Sequence, residues 1–163
     1  MKMIQSLVVA ASVATMAACQ TALQMKNYSR FTAAMESYTE DYTWEPIELT
    51  TDDDYVLTSF MITGKEEKSM KNPPVLIHHG EGQDAASWMT SLATDSKPKA
   101  KPFPLTLVDS GHTVYMMNSR GTEYSRKNTK LSADSKLFWD FSMDEMWKDI
   151  KANVGLVQAH LGY

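Results

Sequence analysis

Cysteine is almost missing. The 163 residues hold one, Cys19, so no internal disulfide can form, and the body of the chain offers neither a thiolate metal site nor a cysteine nucleophile. Histidine is sparse: His78, His79, His112 and His160 show no H-E-x-x-H or comparable ligand spacing, which leaves a zinc hydrolase unsupported. His78 and His79 close an apolar run, and neighbours along a strand point to opposite faces, so the pair is not expected to share a metal. Excess positive charge is absent as well. Sixteen Lys and Arg against twenty Asp and Glu give a net charge of −4, with no basic footprint for nucleic acid. Lys97, Lys99 and Lys101 cluster in a Pro-punctuated stretch that reads as a solvated loop. There is no internal repeat and no low-complexity segment.

What is present begins with an unusual N-terminus. Lys2 is followed by an uncharged run from Ser6 to Cys19, and Ala17-Ala18-Cys19 offers small residues at its end. This is the pattern of a signal peptide over residues 1–19, leaving 20–163 as one domain. A spanning helix fits less well, because Gln20 and Thr21 close the run early. Met16-Ala17-Ala18-Cys19 also looks like a lipobox, which would leave a lipidated Cys19 as a membrane anchor. Asn27-Tyr28-Ser29 is a glycosylation sequon with meaning only in a secretory pathway.

The rest alternates between strand and helix signals. A short helix is expected within Asn27 to Tyr42. Ile47, Leu49, Tyr55 and Leu57 alternate with polar neighbours around Thr51-Asp52-Asp53-Asp54, predicting two half-buried strands joined by a solvated acidic turn. The aspartates lack the alternate spacing, Gly and distal Glu of an EF-hand loop. Gly64 to Pro74 is a charged linker. Val75 to His78 predicts a strand buried on both faces, Leu105 to Asp109 a short helix ended by Gly111, and Thr113 to Met117 a second buried strand. Strand, helix and strand in that order indicate an α/β fold. At the C-terminus, Ser142 and Glu145 form a capping box. Met143, Met146, Trp147, Ile150, Val154, Val157 and Leu161 predict one apolar stripe on the helix that follows.

Met117-Asn118-Ser119-Arg120-Gly121 comes nearest to the G-x-S-x-G of a nucleophile elbow, but it lacks the first glycine. A triad's acid and His are not recognisable after it. Residues 118–126 (Asn-Ser-Arg-Gly-Thr-Glu-Tyr-Ser-Arg), Leu131-Ser132 and Phe138-Trp139-Asp140-Phe141-Ser142-Met143-Asp144-Glu145-Met146 resemble the G-N-S-R-G-x-x-x-S-R … L-S … F-W-x-F-S-x-D-E-M run of the acid lipases. These are the lysosomal and gastric branch of the α/β-hydrolases. His79 to Trp88 is similar to that family's H-G-L-L-x-S-x-x-x-W. Trp44 to Gly64 looks like its opening hairpin, T-x-D-G-Y-x-L, with Asp54 in place of the Gly. Lys97 to Pro102 looks like an insertion. The resemblance runs from about Tyr42 to about Gln158.

The resemblance implies the N-terminal part of an α/β-hydrolase fold, an incomplete and mainly parallel sheet with flanking helices. It implies that Ser119 is a structural element and no nucleophile. His79-Gly80 would mark the oxyanion loop, with the amide of Glu81 as donor, whereas His79-Gly80 read alone is equally a strand end. Both family leucines are replaced, by Glu81 and Gly82, and a carboxylate beside an oxyanion opposes the developing charge. The family nucleophile lies downstream of this run, beyond Tyr163. A truncated lipase-like chain, inactive as written, is therefore expected. Its intact relatives hydrolyse neutral-lipid esters without metal or organic cofactor. The alternative is a non-catalytic secreted protein that binds lipid or partners a lipase. Either reading implies the secretory pathway, with a lysosomal or extracellular destination, and an open sheet edge that a protein partner would cover.

Overall fold

The acidic turn organises the first two strands. A computed structural model describes residues 28–65, 72–90 and 100–162. The signal segment with Cys19, the sequon at Asn27, most of the linker and the first half of the Lys97–Pro102 insertion lie outside the described residues. Strands β1 (Tyr42–Thr50) and β2 (Tyr55–Gly64) pair antiparallel, with Leu49 opposite Leu57 and Thr50 opposite Val56. Asp54 has a φ of 73°, the left-handed conformation for which the family's Gly is suited. The turn is not merely solvated: Asp52 pairs with Lys151, Asp53 with Arg120 and Lys148, and Asp54 with Lys130.

The sheet runs in the order β1-β2-β4-β3, with β3 at Val75–His78 and β4 at Val114–Met117. A two-residue β5 (Lys127–Asn128) adds to β2. It is a mixed sheet. β3 and β4 are parallel, and β2 joins β4 antiparallel because the opening hairpin brings the chain back beside it. β4 is buried throughout, whereas Val75 and Leu76 of β3 are only half-buried and His78 is exposed. Among the described residues β3 pairs only with β4, so one side of it lacks the neighbour that burial on both faces needs.

Period-two alternation along β2 divides the core. Phe60 and Ile62 join Phe31 and Met35 of helix α1 (Ser29–Met35) and Leu105 and Val108 of α2 (Phe103–Asp109). Phe31 stacks on Phe60 with ring centroids 4.0 Å apart, and each buried Phe contributes about 1.5–3 kcal/mol by burial alone. Tyr55 and Leu57 instead face a smaller cluster around Phe138, which lies in a 3₁₀ turn at Lys136–Trp139.

Helix α3 (Trp147–Leu161) departs from the expected pattern. The Glu145 carboxylate does accept from the Ser142 amide at 2.7 Å, but the Ser142 hydroxyl accepts from Asp144, and this closes a turn ahead of the helix. The helix buries Asp149 and Asn153, while Trp147, Ile150 and Val154 of the apolar stripe face outward. The surface beneath it explains the choice. It presents buried Ser59, bonded to Asn153, and buried Arg120, bonded to Asp149, so polar side chains one helical turn apart supply the docking.

Candidate active site

Asn118, Ser119 and Arg120 leave the end of β4 and each holds a different element. Asn118 is fully buried. Its Oδ1 accepts from the Ala85 amide at 2.8 Å, and its Nδ2 donates to the Thr58 carbonyl at 2.7 Å. Ser125 completes the tie, its hydroxyl donating to the Asn118 carbonyl and accepting from the Thr58 amide. Arg120 forms a bidentate pair with Asp53 at 2.8 and 2.9 Å and bonds Asp149, with its guanidinium 4.0 Å over the Tyr55 ring. Burial disfavours its charge, but the carboxylates of Asp53 and Asp149 outweigh that and raise its pKa. Gly121 then turns at φ 81°, and a Cβ there would meet the Trp139 ring at 2.9 Å.

Ser119 touches both neighbouring histidines. Its amide donates to His79 Nε2 at 3.2 Å, and its Oγ lies 2.7 Å from His78 Nε2. Since Nε2 of His79 is an acceptor, its proton sits on Nδ1, which donates to the Gly80 carbonyl at 2.8 Å. The two rings are 4.7 Å apart. The expectation of opposite faces fails because β3 ends at His78 and His79 already belongs to the loop. Partial burial, followed by the neighbouring His79, lowers the His78 pKa, with Asp149 opposing. Among the described residues no group of three His, Cys, Asp or Glu side chains is placed to hold a metal.

The loop after β3 is held at both ends. Gly80 and Gln83 close a tight turn, the Gln83 amide donating to the Gly80 carbonyl at 3.2 Å. Asp84 caps a 3₁₀ helix at Ala85–Met89 by accepting from Ala86, while Ser87 accepts from the Asp84 amide, and Arg30 pairs with the Asp84 carboxylate at 3.0 Å. Between these anchors Glu81 and Gly82 are exposed, and their amides have no acceptor among the described residues. They line a cleft of about 670 Å³ together with His78, His79, Ser119, Trp139, Phe141, Met143 and Met146. The cleft opens at the C-terminal ends of the parallel strands, the usual place for ligands in α/β sheets. His79, Gly80 and Glu81 all line this cleft. The apolar wall from Trp139 to Met146 was not anticipated, although its aromatics and methionines are visible in the family run.

The profile of the family described as "Partial alpha/beta-hydrolase lipase region" matches residues 36–92. Human lysosomal acid lipase/cholesteryl ester hydrolase is 38% identical over 111 residues, 66% of this chain and 26% of that protein. Mouse gastric triacylglycerol lipase is 37% identical over 125 residues, 74% of this chain and 30% of that protein. The chain belongs to the acid lipase family. Human lipase member K is 35% identical over 120 residues, 71% of this chain and 29% of that protein. The chain therefore spans under a third of the length of the relatives it matches. The cleft lining combines an apolar wall with two residues, Glu81 and Gly82, whose amides have no acceptor among the described residues, and Asn118 and Ser119 pin the loop from beneath.

Proposed function

We propose that the chain carries the oxyanion-loop portion of a hydrolase acting on neutral-lipid esters such as triacylglycerols and cholesteryl esters. The observation that carries this reading is the pinned loop after β3, in which Glu81 and Gly82, whose amides have no acceptor among the described residues, line a cleft walled by Trp139, Phe141, Met143 and Met146. No complete Ser, acid and His triad is recognisable in these 163 residues, so the chain as written hydrolyses no ester with turnover. The names of its relatives support a secretory route to a lysosomal or extracellular site. A protein partner along the free side of β3 would complete the sheet.

A fusion tests the reading. The chain is joined in frame to the part of mouse gastric triacylglycerol lipase beyond the matched region and offered a triacylglycerol emulsion. Hydrolysis that survives Ser119→Ala and rises in Glu81→Leu is expected. A folded fusion that neither hydrolyses nor binds the emulsion overturns the reading. One feature favours the second reading, a non-catalytic lipid binder: Glu81, in the cleft lining, puts a carboxylate on the very residue whose amide would be the oxyanion donor. Binding without hydrolysis by the folded fusion would select it.

A further inference from the structure

We infer that the bond from the Ser119 amide to His79 is an acid-sensitive latch. It holds the loop after β3 against the end of β4 while the ring is neutral, and it releases the loop when the ring takes a proton. The device belongs to the loop itself and does not depend on which ligand the cleft takes. Two unlike bonds tie this loop to the segment after β4. Asn118 Oδ1 accepts from the Ala85 amide, and a side-chain amide does not titrate. His79 Nε2 accepts from the Ser119 amide at 3.2 Å, while its Nδ1 donates to the Gly80 carbonyl at 2.8 Å. One ring nitrogen must accept and the other must donate, a pattern that only the neutral ring can meet. A proton on Nε2 would set N–H against N–H. The Ser119 amide has no lone pair to offer instead, and His79 is only 7% exposed, which leaves water little room to intervene. Between the two ties, Gly80 and Gln83 close the turn on itself, so it moves as one piece.

The neighbouring histidine makes a contact of a different kind. His78 Nε2 meets the Ser119 hydroxyl at 2.7 Å, and a hydroxyl both donates and accepts, so it suits neutral and protonated His78 alike. Most other charged groups in the same cleft lining are already balanced. Asp84, at the far end of the loop, pairs with Arg30 of α1, which also meets Glu123 after β4. Arg120 is held by Asp53 of the hairpin turn and by Asp149 of α3. Glu81 forms no ion pair among the described residues, and it sits two positions from His79 on the turn that is freed. Its carboxylate favours a released, positively charged ring. The sign follows from the proton count. The released ring binds a proton that the latched ring cannot, so the latch is complete where histidine is neutral and weakens on acidification.

The test is amide hydrogen exchange on the full chain at about pH 7.5 and about pH 5, corrected for intrinsic rates, a window that spans the histidine range. It stays above the range in which Asp53 takes a proton. The Ser119 amide should lose about tenfold or more of its protection at the lower pH, while the Ala85 amide changes little. Ser119→Ala keeps the backbone donor and should respond as the wild type does. His79→Gln offers an acceptor and a donor but no titrating proton, so its Ser119 protection should be the same at both pH values. Equal protection at both pH values in the wild type overturns the proposal, and so does a wild-type response in His79→Gln. A matching loss at Ala85 would mean general loosening in acid and overturns it as well. If His79→Gln does not fold, the NMR shifts of the wild-type ring nitrogens decide. Nδ1 should carry the proton near neutrality, and Nε2 should gain one on acidification in step with the loss at Ser119. A ring that protonates while Ser119 stays protected overturns the latch.

Discussion

Arg120 meets Asp149 through both its main chain and its side chain: the amide reaches Oδ2 at 2.8 Å and Nε reaches Oδ1 at 2.9 Å, with both residues buried. The contact joins the end of β4 to α3, and Arg120's second pair with Asp53 joins both to the opening hairpin. Removing the Arg120 side chain leaves the buried Asp149 carboxylate with a main-chain donor but no opposite charge, and removing Asp149 leaves the buried guanidinium with Asp53 alone. Arg120→Ala and Asp149→Ala should each cost about 3–5 kcal/mol in urea unfolding. Arg120→Lys should recover only part of this, because an ammonium cannot reproduce the two-pronged contact with Asp53. A loss under about 1 kcal/mol for Arg120→Ala would place the docking of α3 elsewhere.

The same cluster sets the acid response. Partial burial raises the Asp53 pKa, but hydrogen bonds from Arg120, Thr51 and Lys148 outweigh it and hold the carboxyl well below its ordinary value of 3.8. A carboxyl depressed in the folded state contributes its full stability above the unfolded pKa and loses it as pH falls through the folded one. Stability from Asp53 should therefore be flat from neutrality down to about pH 4 and decline below that. Asp53→Asn should be less stable at neutral pH and should show a shallower acid loss in thermal melts across this range. An unchanged acid slope in the variant would contradict the assignment.

Asn118 connects the loop after β3 to β2, and its side chain is fully buried. Asn118→Ala leaves the Ala85 amide and the Thr58 carbonyl without their partner, each worth about 1–3 kcal/mol when buried and unsatisfied. Amide exchange at Ala85 should accelerate, while the β1–β2 hairpin amides nearest the Asp53 turn keep their protection. Equal acceleration everywhere would mean global destabilisation in place of local release.

The hairpin, the parallel pair and the loop at His79-Gly80 were legible because each is written locally: alternation around a turn, an apolar run bounded by Pro and Gly, a spaced His and Trp. The Ser119–His78 contact was not. It depends on where β3 stops, and one residue decides whether His79 continues the strand or enters the loop. The side on which α3 docks was not legible either, for a related reason. A helical stripe of Met, Trp, Ile and Val signals a buried face only if the facing surface is apolar, and here that surface carries Ser59 and Arg120. Asp149 and Asn153, four apart, were the available signal. A capped turn was signalled as well by Asp84 three residues before Ser87.

Asp54 holds a left-handed conformation that most side chains resist, while Thr129 and Lys130 bond its carboxylate at the surface. Asp54→Gly removes the steric conflict and gives up only exposed contacts, which contribute little. A modest rise in the urea midpoint is expected. Lys130→Ala, which removes an exposed partner and leaves the backbone untouched, should change the midpoint less. A clear fall for Asp54→Gly would show that the surface contacts outweigh the strain.

Met143, Trp147, Ile150 and Val154 follow one another at helical steps and are 74%, 55%, 45% and 41% exposed. A contiguous apolar patch of this kind associates when nothing covers it. The chain should therefore self-associate with rising concentration in sedimentation velocity. Ile150→Lys with Val154→Lys should shift it toward monomer. Because both side chains already face outward, the double variant should keep its urea midpoint, with a change within about 0.5 kcal/mol per site. Two outcomes would count against this account. A wild-type chain that stays monomeric at high concentration would mean the patch is not an associating surface. A double variant that unfolds early would mean that α3 docks through its stripe after all, and that Asp149 and Asn153 are not what holds it.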